Sequence, residues 1–406
     1  MSDLPLKGLK ILAPEQMMAL PHATQLLALL GAEVLKVEPL GGESGRHGRP
    51  MVGEHDGSET GSTFVRNNLA KESIAIDLKS ERGRDLFLDL AARVDAVVEN
   101  FRPGTVDKLG IGYDAVRARN PEVIYLSISG FGNRTNPPSP YRERAAYAPI
   151  VEAMAGLYEY ARDGDDPPRL ASAGAIGDTG PGLYAVIGLL SALHQRERTG
   201  RGCHVDVSMY DAMIAIADVV HIASVGVIPS LATRGIGIFD SFRANDGWFA
   251  VEIVREPHFP RFCDAVGHPE WKEDPRLATR SGWAEHLESV IRPAVEEWAR
   301  GRGKAEAAAE LARHGVAAGP VNTAADIVDD PHVRSRGLVH DFEDPTREEP
   351  VHVVGSPLYF GPRGEQIEPT PKRWPRVGEQ TERVLESWLG LSPETIETFR
   401  KEGVVR

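Results

Sequence analysis

Apolar residues along this chain follow two periods, and the way the periods alternate predicts an architecture. Leu9, Ile11 and Leu12 form a short apolar run closed by Pro14. A helical pattern over 18–30, with Leu26, Leu29 and Leu30 apolar, stops at Gly31, and Val34, Leu35 and Val37 mark a strand over 33–38 ended by Pro39. Strand, helix and strand with short links make a βαβ unit, which requires parallel strands and a right-handed crossover. The alternation continues as a strand over 73–77, a helix over 80–93, a strand over 95–98, a helix over 106–119 and a strand over 123–127. An open α/β sheet is the expectation. Ligands of such sheets bind beyond the carboxyl ends of the strands, so segments 14–21, 39–46, 99–104 and 129–136 are the places to look.

The next stretch is built differently. Residues 174–182 hold four glycines around Gly177-Asp178-Thr179-Gly180, and an apolar face follows at Leu183, Val186, Ile187, Leu190 and Leu193. A glycine-rich turn delivering one carboxylate, Asp178, to the first turn of a helix is the expected geometry. The positive end of the helix dipole would keep that carboxylate ionised. Gly180 and Gly182 would leave room for a ligand to approach the backbone. Two roles stay open for Asp178: a helix cap, for which Asp is a preferred residue, or a nucleophile.

Beyond Gly200 a strand over 204–208 and an apolar helix over 210–224 are expected. The character then changes. Residues 226–247 read as loop, 248–253 as a strand, and 257–266, 284–300 and 304–314 as helices, which together suggest a smaller α+β domain. Prolines crowd 330–375, an extended strap expected to return to the first domain, and helices over 378–389 and 393–401 close the chain. The expected division is a large domain over 1–224, a small one over 225–329 and a returning segment over 330–406.

Composition narrows the chemistry. The 406 residues are 41% hydrophobic and 26% charged, an ordinary globular balance. A net charge of −13 argues against a nucleic-acid partner but leaves room for local basic pockets. Two cysteines, Cys203 and Cys263, with no CxxC, give neither a disulfide framework nor a zinc site and fit a reducing cytoplasm. No leader is recognisable, and no run reads as long enough to span a bilayer; the apolar stretch over 213–220 contains Asp218, is followed by His221, and reads as a buried helix or a subunit contact. The thirteen histidines show no metal spacing. A phosphate-binding GxxxxGK[ST] loop and a GxSxG elbow are absent, and Gly110-Ile111-Gly112 follows a helical segment rather than a strand, so it is not a dinucleotide fingerprint.

Several short strings, taken in order, resemble a known family from end to end. They are Lys7-Gly8-Leu9-Lys10-Ile11-Leu12, Leu30-Gly31-Ala32-Glu33-Val34-Leu35-Lys36-Val37-Glu38, Glu99-Asn100-Phe101-Arg102-Pro103-Gly104, Gly177-Asp178-Thr179-Gly180, Thr199-Gly200-Arg201-Gly202 and Gly378-Glu379-Gln380-Thr381. The chain resembles the family III CoA-transferases, which include formyl-CoA and carnitine CoA-transferases and, as relatives, the α-methylacyl-CoA racemases. The resemblance implies a Rossmann-like large domain, a small domain, a returning C-terminal segment and a homodimer of two interlocked chains. It implies acyl-CoA and a free carboxylic acid as substrates, coenzyme A as the group carried, and no tightly bound cofactor, metal or membrane partner.

Asp178 stands where the family has its nucleophile, which attacks the thioester carbonyl and passes through an aspartyl anhydride and an enzyme–CoA thioester. Backbone N–H groups near the glycines would hold the oxyanion. CoA contacts carried over by the resemblance and by position beside strands are Lys71, Asn100, Phe101, Arg102 and Lys108; for each cation a solvated surface role is the alternative. Met18 occupies the place of a glutamine that lies near the thioester in formyl-CoA transferase, and Gln16 lies close by. Tyr147 keeps the tyrosine of a Tyr–acid pair whose acid is replaced by Ala148. A glycine lid is replaced by the segment around Arg234, which would make Arg234 either a cation for a substrate carboxylate or an ordinary surface arginine. These departures count against formyl-CoA and oxalate as substrates. His22 and His47 read as ordinary polar residues. The rival readings are racemase chemistry, disfavoured because Tyr147 replaces the histidine base, and a CoA-binding protein that has lost activity.

Overall fold

The computed structural model describes residues 4–54, 57–133, 137–160, 166–170, 175–217, 219–220, 237–361 and 372–406. Gly174, Asp218, His221 and Arg234 lie outside the described residues.

The first strands are β1 (Lys10–Ala13), β2 (Glu33–Glu38), a hairpin of β3 (Met51–Gly53) and β4 (Glu59–Gly61), and then β5 (Glu72–Ala75), β6 (Ala96–Glu99), β7 (Ile124–Ser129) and β8 (Cys203–Ser208). Six of them form one parallel sheet in the order β5-β2-β1-β6-β7-β8. Counting only its own strands, the sheet runs 3-2-1-4-5-6, the doubly wound order, with its switch point between β1 and β6.

The pleat explains why these strands read as continuous apolar runs. Ile11, Ala13, Val34, Ala96, Val98, Ile124, Leu126 and Ile128 point to one face, where they meet helices Ala19–Leu29 and Ile176–Thr199. Leu12, Leu35, Val37, Ile74, Val97 and Tyr125 point to the other, where they meet helix Glu81–Ala91 and the two C-terminal helices, Thr381–Leu389 and Pro393–Lys401. Both faces are covered, as a parallel sheet requires. The helix expected over 106–119 is two, Thr105–Leu109 and Tyr113–Arg119, because Gly110 takes a left-handed conformation (φ 74°) and ends the first.

Two compact units divide the chain. One comprises residues 1–157, 170–218 and 331–406, and the other 158–169 and 219–330. The second carries an antiparallel sheet, order β11-β10-β9, of β9 (Ile238–Arg243), β10 (Trp248–Ile253) and β11 (Ala317–Pro320). Its core is aromatic: Phe242, Phe249, Phe259, Phe262, Trp271 and Trp283 are all buried. In the first unit the proline-rich segment is not simply extended. It forms a short helix, Pro331–Ser335, and an antiparallel pair, β12 (Val339–Phe342) with β13 (Val351–Val354). Further on, the indole of buried Trp374 donates to Glu54 Oε1 (2.7 Å), and Arg46, paired in two hydrogen bonds with Glu38 (2.6 and 2.7 Å), donates to the carbonyl of Pro375 (3.0 Å).

Candidate active site

The helix that carries Asp178 begins earlier than its glycines suggest. It runs Ile176–Thr199 behind Ala175, a left-handed residue (φ 47°), so Asp178 is the third helical residue and not its cap. Tertiary packing overrides propensity here, and the glycines have another use. A Cβ on Gly177 would lie 2.6 Å from the Ala148 carbonyl, one on Gly180 2.7 Å from Ile216 Cδ1, and one on Gly182 2.9 Å from the Ala19 carbonyl. Each glycine admits a neighbouring helix: Ala148–Met154, Met209–Ile216 and Ala19–Leu29. Gly180 therefore makes room for protein, not for substrate. This helix is also long and apolar enough to cross a membrane by length and composition, contrary to the expectation that no run is. It instead buries Gly177, Gly180, Pro181, Gly182, Ala185, Leu189 and Ala192 within the first unit.

Three of the helix-start N–H groups are also spent. Gly177 N–H donates to Glu152 Oε1 (2.7 Å), and those of Asp178 and Thr179 donate to the Ala175 carbonyl (2.9 and 3.0 Å). These three N–H groups are thus not free for an oxyanion.

Asp178 opens into a cavity of about 150 Å³ at the switch point of the sheet. Gln16, Met17, Met18 and Ala19 reach it from the end of β1, and Asn100, Phe101 and Arg102 from the end of β6. Ser129 and Gly130 reach it from β7, and Arg144 and Tyr147 from the segment before helix Ala148–Met154. Residues expected from three separate stretches of sequence therefore meet around one carboxylate. The two central loops are tied together: Gln16 N–H donates to Asn100 Oδ1 (3.0 Å), and Asn100 Nδ2 donates back to the Gln16 carbonyl (2.9 Å). Asn100 lines the cavity, but its amide holds the β1 loop. Met17 is held in a left-handed conformation (φ 61°), its N–H bonded to Glu43 Oε2 (3.1 Å). Phe101 N–H donates to buried Glu99 (2.8 Å), whose carboxyl is pushed up to about 7, chiefly by burial.

The electrostatics of Asp178 depart from the simple helix-dipole picture. Its carboxyl is pushed up to about 6, first by burial and then by the negative charge of Glu152, with Arg66 pulling the other way. Glu152 is 1% exposed. Its one sequence signal is a lone acid in the apolar run Ala148–Met154.

Lys71 and Lys108 do not join this cavity. Lys71 is buried, and its ammonium donates to Glu15 Oε1 (2.7 Å), the Pro21 carbonyl (2.9 Å) and Asn68 Oδ1 (2.9 Å). With all three N–H bonds used inside the protein, it has none for a phosphate, which corrects the expectation of a CoA contact. Burial drives its pKa down to about 7, Glu15 opposing. Lys108 is exposed on helix Thr105–Leu109. His22 packs against Gly182 with its imidazole held down near 4 by burial and the charges of Arg66 and Lys71, and His47 is exposed outside the cavity. Among the described residues no group of three or more His, Cys, Asp or Glu side chains is placed to hold a metal ion.

The sequence model of CoA-transferase family III matches residues 6–381. The chain belongs to CoA-transferase family III. It is 32% identical over 401 residues to a succinyl-CoA:mesaconate CoA-transferase of Haloarcula hispanica, covering 97% of this chain and 99% of that one. It is also 32% identical to a formyl-CoA:oxalate CoA-transferase of Streptomyces coelicolor, covering 98% and 99%. Its fold matches the crystal structure of a CAIB/BAIF family protein from Brucella suis with a TM-score of 0.83 at 31% identity, over 95% of this chain and all of that one. This family III member is a CoA-transferase, an enzyme that uses CoA thioesters as substrates.

Proposed function

We propose that this enzyme moves CoA from an acyl-CoA thioester to a free dicarboxylic acid, with Asp178 as the nucleophile. One observation carries the reading: a single carboxylate, partly stripped of water yet ionised at neutral pH, faces a cavity at the switch point of a doubly wound sheet. An Asp178 oxygen attacks the thioester carbonyl, the C–S bond breaks, and CoA leaves as thiolate from an acyl-aspartyl anhydride. The thiolate attacks the aspartyl carbonyl, expels the donor acid as its carboxylate and leaves an aspartyl–CoA thioester. The acceptor carboxylate attacks that thioester, and the released thiolate takes the acceptor's acyl group and frees Asp178. Every step exchanges one leaving group for one nucleophile, so no redox partner is needed.

Geometry supports a place for each part of the substrates. A second cleft of about 540 Å³ lies beyond β1, β2 and β5 and shares Gln16 and Phe101 with the Asp178 cavity. Leu40, Ile76, Leu78 and Leu109 make its walls apolar and Lys79 stands at its edge, so we assign it to the nucleotide end of CoA. The acid's second carboxylate is assigned to Arg102 and Arg144, the cations that line the Asp178 cavity. The acids in the relatives' names, mesaconate, oxalate, L-malate and D-citramalate, are all dicarboxylic. Oxyanion donors are sought at helix Ala19–Leu29, whose first turn also faces the cavity and whose N-cap, Met18, makes no side-chain cap. A homodimer is part of the proposal. Ile176, Leu183, Tyr184 and Ile187 leave an apolar stripe along one helix, 44%, 50%, 39% and 60% exposed.

The test is a screen of succinyl-CoA against these four diacids and against acetate, with new CoA esters separated by chromatography. A diacid ester should form with the wild type and fail to form with Asp178→Ala. Transfer to acetate alone would refute the acid class, and transfer by Asp178→Ala at the wild-type rate would refute the nucleophile.

A further inference from the structure

We infer that Glu43 is a positioning residue for this reaction: it holds Met17 in a left-handed conformation and so sets where the loop after β1 meets the thioester beside Asp178. The inference rests on the assignment of Asp178 as nucleophile under Proposed function. Among the described residues only Met17, Ala70 and Ala175 take a positive φ without being glycine. Two of these three stand at the starts of the helices that face or carry Asp178. Met17 precedes Met18, the N-cap of helix Ala19–Leu29, and Ala175 is the N-cap of helix Ile176–Thr199. A left-handed backbone is unfavourable for a residue with a Cβ, and it persists only where its surroundings over-determine it.

For Met17 the hold is a buried carboxyl from another loop. Glu43, beyond β2, is 4% exposed, and its Oε2 accepts the N–H groups of Met17 (3.1 Å) and Gly45 (2.6 Å). Its own N–H donates to Glu38 Oε2 (3.1 Å), and its Oε1 lies 3.5 Å from the ammonium of Lys36. Glu38 and Lys36 both belong to β2, so Glu43 is fixed to that strand on one side and reaches Met17 on the other. Gln16 is tied to the end of β6 by Asn100. Consecutive residues of one loop are therefore anchored from two different strands, and the stretch 16–19 lines the Asp178 cavity along its whole length.

The consequence falls on the start of helix Ala19–Leu29. Its first hydrogen bond runs from His22 N–H to the Met18 carbonyl (2.8 Å), and Pro21 has no N–H, so the Ala19 and Leu20 N–H groups stand ahead of that bond. These are the donors proposed for the oxyanion, and the backbone of Met17 sets the angle at which they meet the cavity. With Met17 at negative φ the helix start would sit differently against the carbonyl. A displacement of about 1 Å is enough to cost on the order of 10²-fold in rate. Such a loss falls on kcat, because the donors act on charge that exists only while the carbonyl is under attack.

The experiment compares wild type with Glu43→Ala, Glu43→Gln, Met17→Ala, Met17→Pro and Asp178→Asn, with succinyl-CoA as donor and mesaconate as acid. It reads kcat, KM, the single-turnover release of CoA thiol and the thermal midpoint. Glu43→Ala and Glu43→Gln both give up the negative charge beside Lys36, so both should lower the midpoint by several degrees. Only Glu43→Ala also loses the acceptor of the Met17 N–H. Its kcat should fall by roughly 10²-fold and lie at least tenfold below that of Glu43→Gln, with KM little changed. Met17 is 41% exposed, and its variants leave the buried charges in place. Met17→Ala removes the side chain but keeps the donor, whereas Met17→Pro removes the donor and fixes φ near about −65°. The kcat of Met17→Pro should lie at least tenfold below that of Met17→Ala. A smaller gap between the two Glu43 variants would overturn the inference, since rate would then follow stability, and so would a loss carried by KM. A smaller gap between the two Met17 variants would overturn it as well, and that comparison stands even where the Glu43 variants fail to fold. An Asp178→Asn protein that still released thiol would strike the nucleophile assignment instead, and the Glu43 and Met17 comparisons would still be read from their own rates.

Discussion

Replacing Glu152 by Gln should shift the acid limb of the pH–rate profile downward without greatly changing the rate above it. The perturbation is narrow. Glu152 is 1% exposed and its Oε1 accepts the Gly177 N–H at 2.7 Å, a bond that a glutamine carbonyl can also accept. What the substitution removes is a negative charge next to Asp178. That charge is the second cause, after burial, of the raised Asp178 pKa of about 6. The other charged or titratable groups around Asp178 stay in place: Arg66, Arg102, Arg144 and Tyr147, with His22 neutral above about pH 4. With burial retained, Asp178 should fall by about one unit, equivalent to about 1.4 kcal/mol of relief. The sign follows from the need for an ionised nucleophile. Wild-type activity fades as pH drops through about 6, and the variant should hold its activity to about pH 5. The assay is kcat/KM from pH 4.5 to 8.5, which reports groups of the free enzyme. Glu152→Ala provides the contrast: it leaves the Gly177 N–H without its acceptor and should cost about 1–3 kcal/mol of stability. An acid limb in Glu152→Gln that stays put or moves upward would show that the Glu152 charge does not raise the Asp178 pKa.

Two further outcomes separate structural from functional roles. Lys71→Met should lower the stability of the fold by about 3–5 kcal/mol in denaturant titrations, because it strands Glu15 beside a single remaining cation, Lys36; a variant of wild-type stability with weakened CoA binding would restore the phosphate role. Gly177→Ala should be more destabilising than Gly180→Ala, by about 1–2 kcal/mol. Its Cβ would meet the Ala148 backbone at 2.6 Å, whereas the Cβ at Gly180 meets the end of the Ile216 side chain; equal midpoints would contradict the close helix packing.

What the sequence makes legible here is what short-range pattern controls. Val34, Leu35 and Val37 between Gly31 and Pro39 mark β2 to the residue, and the alternation of strands and helices leads to the parallel sheet. Once strand ends are known, the doubly wound rule points to the loops holding Gln16, Met18, Asn100, Phe101 and Arg102, all of which line the Asp178 cavity. Side-chain partnerships are not legible in this way. Lys71 looks like any exposed cation until it is found with Glu15, 56 residues away, at its ammonium. The glycines around Asp178 look like a turn, because propensity disfavours Gly in a helix; only three helices arriving from distant segments explain them. Glu152 escapes for the same reason. A lone acid in an apolar run gains meaning only from what stands across from it.

Chemical trapping tests directly whether Asp178 carries the acyl group and CoA in turn. Wild-type protein mixed with succinyl-CoA and then hydroxylamine, digested and examined by mass spectrometry, should yield a hydroxamate on the peptide containing Asp178. Asp178→Asn protein treated in the same way should yield none. A hydroxamate at another carboxylate, or turnover with no labelled residue, would contradict the account.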